Sequence, residues 1–329
     1  MVDHVLRIRD LQVEFKVYEG RLKVLNGVNM DVGLGARVGL VGEAGCGKTT
    51  TMRCVLGILQ SPPGKITGGT IRFRDRDVLK MSQANLQKIR GGGISMIFQD
   101  PVAALNPVFT VGDQLTSVIR YAATKRMDKK EIKRRAIKAL ADVQLPDPDR
   151  MFTSYPVQLS GGMRQRVCIA MALATEPELM IADEPTTALD VTIQAQVLRL
   201  LNELVEERAT SVIFITHSLG VVKEMADWVY VMYAGSIVEG AKKEILFERP
   251  MHPYTLGLMG ALPKLTGGGM AEGIPGRIPD YLNPPTGCRF NPRCTQAMEV
   301  CAGNRPEFRE VDPDHRVACV LYGGEADEQ

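Results

Sequence analysis

The sequence predicts an α/β protein with a mixed-sheet core and a smaller unit appended behind it. Apolar runs with strand character, such as LMIAD and VIFIT, alternate with segments of helical period, which indicates a parallel, helix-covered sheet. With 329 residues and 45% hydrophobic composition, the chain can bury such a core and still form a second unit. The composition becomes rich in Gly and Pro after residue 262, which places the appended unit at 263–329.

Hydrophobic periodicity places the elements in chain order. Residues 5–41 have the pattern of strands broken by turns and end in the apolar run ARVGLVG, and the next segment, GKTTTMRCVLGIL, has a helical period. Two further helical segments, TVGDQLTSVIRYAATKR and KKEIKRRAIKALADVQL, are strongly charged on one face. We therefore expect one domain at 1–262, with a helical insert at about 100–160.

Charge and hydropathy exclude several classes of partner. The formal net charge is +2 and no dense Lys/Arg block occurs, so we expect no binding to nucleic acid. No window approaches the roughly 18 uninterrupted apolar residues of a membrane helix. The start, MVDHVLRIRDLQVEF, lacks the cationic flank and apolar stretch of a signal peptide. We expect the chain to stay in the cytoplasm and to act on a membrane only from the membrane surface, without spanning it.

A phosphate-binding loop follows the third predicted strand. Residues 42–49 are GEAGCGKT, which satisfies G-x-x-x-x-G-K-[ST] directly after an apolar strand and directly before a helix. Glycines at 42, 45 and 47 allow the backbone N–H groups and the helix N-terminus to face phosphates. Lys48 is expected to reach the β- and γ-phosphates, and Thr49 to ligate magnesium.

Two further segments suggest phosphate chemistry. Asp183 and Glu184 follow the apolar run LMIA, where α/β sheets place their ligands; Asp183 is expected to hold magnesium, and Glu184 to polarise the attacking water. The segment LSGGMRQR begins a helix at Ser160, so a hydroxyl and bare N–H groups lie at a positive helix end. This predicts a second anion site, although S-G-G alone also suits a simple helix cap.

Taken together, these segments resemble the motifs of ABC-type ATPases. GEAGCGKT, Gln99 in ISMIFQDP, LSGGMRQR, LMIADEPTTALD and His217 in VIFITHSLG look like that family's Walker A, Q-loop, signature, Walker B with D-loop, and H-loop, in its order and spacing. The resemblance covers residues 5 to about 250. It implies the P-loop ATPase fold of that family.

The resemblance also implies a dimer and a role for each motif residue. ATP would lie between the Walker A loop of one subunit and the signature of another, so the signature would act on the partner's nucleotide. The catalytic residues would be Glu184 and His217, Gln99 would sense magnesium and the membrane subunit, and Asp190 in the D-loop would bridge the two sites. The residues implied for the chain's own ATP are Tyr18, Gly42, Glu43, Ala44, Gly45, Cys46, Gly47, Lys48, Thr49, Thr50, Gln99 and Asp183, and those for the partner's ATP are Ser160, Gly161, Gly162 and Gln165.

The adenine contact is the least defined of these. An aromatic ring near the first strands is expected to stack on the base. Tyr18 is the candidate for this contact. Phe15 is the alternative, although it also suits a position packed in the core.

The second half of the chain resembles one branch of this family. RPMHPYTLGLMGALP with its central His252, followed by GCRFNPRC, looks like the C-terminal region of dipeptide, oligopeptide and nickel importer ATPases. This implies a second ATPase subunit in a heterodimer, two permease subunits, a solute-binding protein, and a peripheral place on the cytoplasmic face of the membrane. Residues 100–112 are expected to meet the permeases.

Alternatives to peptide import stay open at this point. Related importers handle opines, glutathione, oligosaccharides or nickel. A soluble ABC ATPase of DNA repair or translation would carry long coiled coils or two ATPase halves, and the sequence shows neither. A redox enzyme would carry a flavin or nicotinamide fingerprint, which the sequence also lacks.

Four of the seven cysteines crowd the last 42 residues and predict a metal centre. Cys288, Cys294, Cys301 and Cys319 are spaced C-x5-C-x6-C-x17-C in a Pro-rich segment that needs a cross-link to hold a fold. A reducing cytoplasm favours metal over disulfides, and four thiolates suit zinc or a 4Fe–4S cluster equally well. The resemblance to peptide-importer ATPases favours a 4Fe–4S cluster with a structural role.

Overall fold

The computed structural model describes residues 3–123, 125–187, 189–261 and 273–322. Its internal contacts divide the chain into two compact units. Unit 1 contains Gly33–Ala36, Lys80–Phe214 and the described residues up to Val5. Unit 2 contains Leu6–Val32, Arg37–Leu79 and the described chain from Ile215 onward. The predicted domain boundary at 262 and the start of the predicted linker lie outside the described residues.

Strands and helices alternate through most of the described chain. The strands are β1 (His4–Val17), β2 (Gly20–Gly33), β3 (Arg37–Val41), β4 (Gly64–Phe73), β5 (Arg76–Asp77), β6 (Ile94–Ile97), β7 (Leu179–Asp183), β8 (Ser211–Thr216), β9 (Trp228–Tyr233), β10 (Ser236–Lys242), β11 (Arg309–Asp312) and β12 (His315–Val317). The helices are α1 (Lys48–Val55), α2 (Gln83–Gly92), α3 (Pro101–Ala104), α4 (Val111–Ala122), α5 (Lys129–Asp142), α6 (Pro148–Thr153), α7 (Gly161–Leu173), α8 (Val191–Arg208), α9 (Leu219–Met225), α10 (Lys243–Glu248), α11 (Pro253–Gly260) and α12 (Val300–Gly303). Short 3₁₀ turns occur at Val78–Lys80, Pro156–Gln158, Asn291–Arg293 and Val320–Tyr322. No helix in these ranges is long and apolar enough to cross a bilayer.

Unit 1 packs helices against short, largely buried strands. β6 and β7 pair in parallel, with Ile94 opposite Leu179, and all five residues of β7 are buried. α3 to α6 occupy the stretch where the sequence pattern predicts helices. The N-terminus of α4 is fixed by a capping box, in which Thr110 and Asp113 bond each other's backbone N–H groups. The carboxyl end of β7, where Asp183 lies, is buried.

Unit 2 contains two sheets. β1, β2, β4 and β5 form the first, in the order β2-β1-β4-β5, with β1 antiparallel to β4. The strands β11, β12, β10, β9 and β3 are neighbours in that order in the second. In it, β3 and β9 are parallel, whereas the pairs β9–β10, β10–β12 and β11–β12 are antiparallel. The mixed α/β sheet that the sequence predicts is therefore present.

The C-terminal segment (273–322) packs on the core of unit 2 through aromatic rings. Phe290 lies 5.1 Å from Tyr233 and 5.4 Å from Tyr254, and those two tyrosines are 4.6 Å apart, measured between ring centroids. A buried pair adds to this packing, because His315 of β12 contacts Glu239 of β10 at 2.7 Å and both side chains are fully buried. The segment is thus anchored by apolar and polar contacts.

Candidate functional site

The phosphate-binding loop lies in unit 2, between the end of β3 and the first turn of α1. Gly42, Gly45 and Gly47 have φ angles of 154°, 79° and 109°, which side chains disfavour. A Cβ at Gly42 would overlap the carbonyl oxygen of Met232, and one at Gly47 would come within 2.6 Å of Leu25. Glycine is therefore required for the backbone to curl in front of the helix N-terminus, the geometry of an anion-binding loop.

Lys48 is buried within this loop. Its Nζ donates to the carbonyl oxygens of Gly42, at 2.7 Å, and Glu43, at 3.0 Å. Burial raises the pKa of the neighbouring Cys46 thiol, which Lys48 partly opposes, so Cys46 stays a neutral packing residue. The loop therefore surrounds one fixed cation with backbone groups, and Thr49 and Thr50 follow it as half-buried residues of α1.

The two predicted acids lie in unit 1 at the end of β7. Asp183 is 3% exposed, and Glu184 follows in a left-handed conformation with φ 45°. Oε2 of Glu184 accepts hydrogen bonds from Nε2 of Gln99 and from Oγ1 of Thr187, each at 2.9 Å. These two hydrogen bonds fix the direction of the carboxylate. The structure thus brings Gln99 and Glu184 together, and it adds Thr187, which sequence reasoning did not single out.

The signature segment begins α7, as the sequence predicts. Ser160 is the N-cap, and its hydroxyl accepts the backbone N–H of Met163 at 3.3 Å. Ser160 and Gly161 are exposed, whereas a Cβ at Gly162 would lie 2.9 Å from Ile193. Gln165, one turn further, is only 2% exposed. The exposed part of the signature is therefore the cap and the first turn, and Gln165 lies beneath it.

Three further predicted nucleotide residues are exposed. Asp190 is exposed and is the N-cap of α8, without a side-chain cap hydrogen bond. His217 is exposed directly after β8, in unit 2. Tyr18 is fully exposed in the turn between β1 and β2, whereas Phe15 is half-buried. Their roles toward ATP stay predictions.

Apolar side chains are exposed around the segment expected to meet the permeases. Phe98, Val102, Val108 and Phe109 are 42%, 59%, 74% and 52% exposed. Large apolar side chains exposed in one short segment are typical of a protein interface.

The four C-terminal cysteines line one small cavity, with His252 and Phe290 among its other walls. Burial raises the pKa of the Cys288 thiol, and backbone N–H groups of Phe290 and Asn291 oppose this. Burial likewise raises the pKa of Cys294, opposed by the N–H of Gln296.

The other two sulfurs have the same kind of partner. Burial raises the pKa of Cys319 to about 11, opposed by the N–H of Leu321, and the sulfur of Cys301 accepts the N–H of Met298 at 3.4 Å. Across the described ranges, no group of three or more His, Cys, Asp or Glu side chains is arranged to hold a metal ion.

Comparisons with known proteins agree with this geometry. Residues 25–187 match the family described as ABC transporter, and residues 238–301 match the oligopeptide/dipeptide transporter C-terminal region. The chain is 44% identical over 328 residues to the dipeptide transport ATP-binding protein DppD of Bacillus subtilis, covering 99% of this chain and 97% of that protein. The chain belongs to the ABC transporter family. This ABC ATPase is also 44% identical to the oligopeptide transport ATP-binding protein OppD of Escherichia coli, covering 96% and 93%.

A solved structure supports the fold. The ABC ATPase resembles a dimeric ATP-binding cassette in a post-hydrolysis state with bound ADP and phosphate, with a TM-score of 0.65 and 27% identity, covering 72% of this chain and 98% of that one. The family, the fold class and the ATPase activity predicted from the sequence are confirmed.

Proposed function

We propose that this ABC ATPase is the motor subunit of an importer of dipeptides or oligopeptides. The observation that supports it most is the match of residues 238–301 to the C-terminal region of oligopeptide/dipeptide transporters, since the ATPase core is common to many systems. Relatives named for dipeptide and oligopeptide transport agree with it. In such importers a binding protein and the permeases select the solute, so opines, glutathione, oligosaccharides and nickel are the competing solutes.

Reconstitution with the cognate permeases, second ATPase and binding protein tests the solute. We expect ATP hydrolysis in proteoliposomes to rise when the binding protein is loaded with a dipeptide or oligopeptide. Stimulation by one of the competing solutes, with none by peptides, would show that the motor serves another importer.

We infer roles for the ATP-binding residues from their chemistry. The N–H groups of the loop and the Lys48 ammonium bind the β- and γ-phosphates, because the glycines curl the backbone in front of the helix N-terminus and Lys48 lies within that curl. Glu184 is the general base that polarises the attacking water, and His217 contacts the γ-phosphate. The hydrogen bond from Gln99 supports this role of Glu184, since it orients the carboxylate.

Magnesium is the metal that this chemistry requires, and the available donors suit it. The hydroxyl of Thr49, the carboxylate of Asp183 and the amide oxygen of Gln99 are oxygen ligands of the type that magnesium prefers. When bound, magnesium neutralises charge that develops on the transferred phosphoryl group.

The proposed active unit is a dimer, and a heterodimer with a second ATPase is the form we favour. Ser160, Gly161 and Gly162 would act on the partner's ATP, since the cap and first turn of α7 are exposed and positive. The dimeric state of the solved neighbour supports this arrangement. Gln165 would need to move from its buried position to take part.

We further propose that the four cysteines bind a 4Fe–4S cluster. All four cysteines line one cavity, which supports a shared metal centre. Zinc and a 4Fe–4S cluster both suit four thiolates, and the resemblance to peptide-importer ATPases favours the cluster. Backbone N–H groups lie against each of the four sulfurs, and hydrogen bonds of this kind occur at the cysteine ligands of such clusters. When bound, the cluster would supply a structural cross-link, because ATP hydrolysis needs no redox step.

We place the motor on the cytoplasmic face of the membrane, docked to the permeases through residues 100–112. The exposed side chains of Val102, Val108 and Phe109 support this surface. The charged helix α5 is the competing surface; its ion pairs, such as Glu131 with Arg134 and Arg135, suit a solvated face.

A further inference from the structure

The C-terminal segment contacts the phosphate-binding loop at two points. The hydroxyl of Tyr281 donates to the carbonyl oxygen of Gly45 at 2.9 Å. Nη1 of Arg293 donates to both carboxylate oxygens of Glu43, at 3.1 and 3.2 Å. Both loop residues belong to the variable part of GEAGCGKT, and both contacts lie within unit 2.

These contacts pair two acceptor groups of the loop, the Gly45 carbonyl and the Glu43 carboxylate, that would otherwise repel a phosphate. The loop binds anions through N–H groups, so an unpaired carbonyl or carboxylate turned toward the ligand would repel it. Tyr281 bonds the Gly45 carbonyl, and Arg293 neutralises the Glu43 carboxylate, of which 30% is exposed. Side-chain packing does not hold Gly45, since a Cβ there would meet no described atom within 4 Å.

Both residues are held firmly enough to act as supports. The Arg293 side chain is 5% exposed and also donates to the carbonyls of Pro275, at 2.9 Å, and Ile274, at 3.1 Å. The backbone carbonyl of Tyr281 accepts the N–H of Lys23 at 2.8 Å, which ties it to β2. Burial raises the pKa of the Tyr281 hydroxyl, so it remains a donor at every physiological pH.

We propose that Tyr281 and Arg293 are positioning residues that hold the phosphate-binding loop ready for ATP. Arg293 precedes Cys294 in the sequence. Its side chain therefore links the segment that carries the C-terminal cysteines to the phosphate-binding loop. The inference rests on the proposed role of the loop in ATP binding, but not on the solute or the cluster.

The test is the affinity of the purified full-length chain for the fluorescent nucleotide N-methylanthraniloyl-ATP. Tyr281→Phe removes one hydrogen bond and should weaken binding about three- to tenfold. Arg293→Met leaves the Glu43 carboxylate uncompensated and should weaken it about tenfold or more. Adding Glu43→Gln to Arg293→Met should restore most of the affinity, because it removes the charge that Arg293 balances. Within the assembled transporter, KM for ATP should rise more than kcat falls.

Matched controls separate this role from general stability. Tyr322→Phe also removes a hydrogen bond from tyrosine to a carbonyl of the same unit, but far from the loop in sequence, and Arg277→Met removes an exposed cation. Both should bind like the wild type. Wild-type affinity in both Tyr281→Phe and Arg293→Met, or no recovery with Glu43→Gln in a folded double variant, would overturn the proposal. Undiminished binding in Lys48→Ala would instead refute the role of the loop itself.

Discussion

Nε2 of Gln99 donates a 2.9 Å hydrogen bond to Oε2 of Glu184, although the two residues are 85 positions apart. Gln99 follows β6 and Glu184 follows β7, and these strands are parallel neighbours. Their carboxyl ends therefore meet at one edge of the sheet. The proposed general base is oriented by the residue that the resemblance assigns to sensing the membrane subunit, so a movement of Gln99 would change the direction of the base.

A change of charge at Gln99 tests this contact. In Gln99→Glu, a second carboxylate would lie within hydrogen-bonding distance of Glu184, and the two would share a proton, which raises the apparent pKa of the base. Because the base must be ionised, the acid limb of the kcat profile should move to higher pH by about one unit or more. Gln99→Met should lower kcat without moving the limb. If the acid limb of the kcat profile lies at the same pH in Gln99→Glu and Gln99→Met, the contact of Gln99 with Glu184 is contradicted.

Photocrosslinking tests the proposed docking surface. A benzoylphenylalanine in place of Val108, which is 74% exposed, should crosslink to a permease subunit in the assembled transporter. The same probe in place of Lys130, an exposed residue of α5, should give little product. Crosslinks obtained only from positions in 250–320 would show that the permeases dock elsewhere.

The buried pair of Glu239 and His315 predicts a stability effect. Glu239 also accepts the N–H groups of Met251, at 2.7 Å, and His252, at 2.9 Å. Glu239→Leu leaves these donors unsatisfied and should lower the free energy of unfolding by about 3 kcal/mol or more. Thermal unfolding would measure this as a lower Tm.

Its control is the exposed ion pair of Arg249 and Asp312, whose side chains are 68% and 39% exposed. Asp312→Ala should change Tm much less, since solvent screens exposed pairs. Equal losses in Glu239→Leu and Asp312→Ala would contradict the anchoring role of the buried pair.

Metal analysis tests the cysteine site. Chain purified without oxygen should contain about four iron and four sulfide per chain. Cys294→Ser should lose most of both, whereas Cys168→Ser, at a buried thiol on α7, should retain them. Stoichiometric zinc without iron would contradict the cluster, and a freshly prepared chain without either metal would contradict the site.

The sequence predicts the local features of this ATPase and misses its long-range contacts. The cap at Ser160 follows from a hydroxyl and two glycines before a helical period, and the loop at Lys48 follows from an equally local motif. The contact of Thr187 with Glu184 depends on the left-handed backbone conformation of Glu184, which no sequence pattern predicts. The bond from Tyr281 to Gly45 spans 236 positions, and only the packing of the C-terminal segment brings it about.

The central claim, ATP hydrolysis by a closed dimer with Glu184 as base, is tested most directly by Glu184→Gln in the presence of the partner ATPase. The amide keeps the size of the side chain but cannot accept the proton from water. We expect ATP binding to persist, a closed dimer to accumulate, and steady-state hydrolysis to fall by about 10² to 10⁴. Glu203→Gln, at an exposed acid of α8, should hydrolyse like the wild type. Undiminished hydrolysis by Glu184→Gln with its partner present would contradict the account.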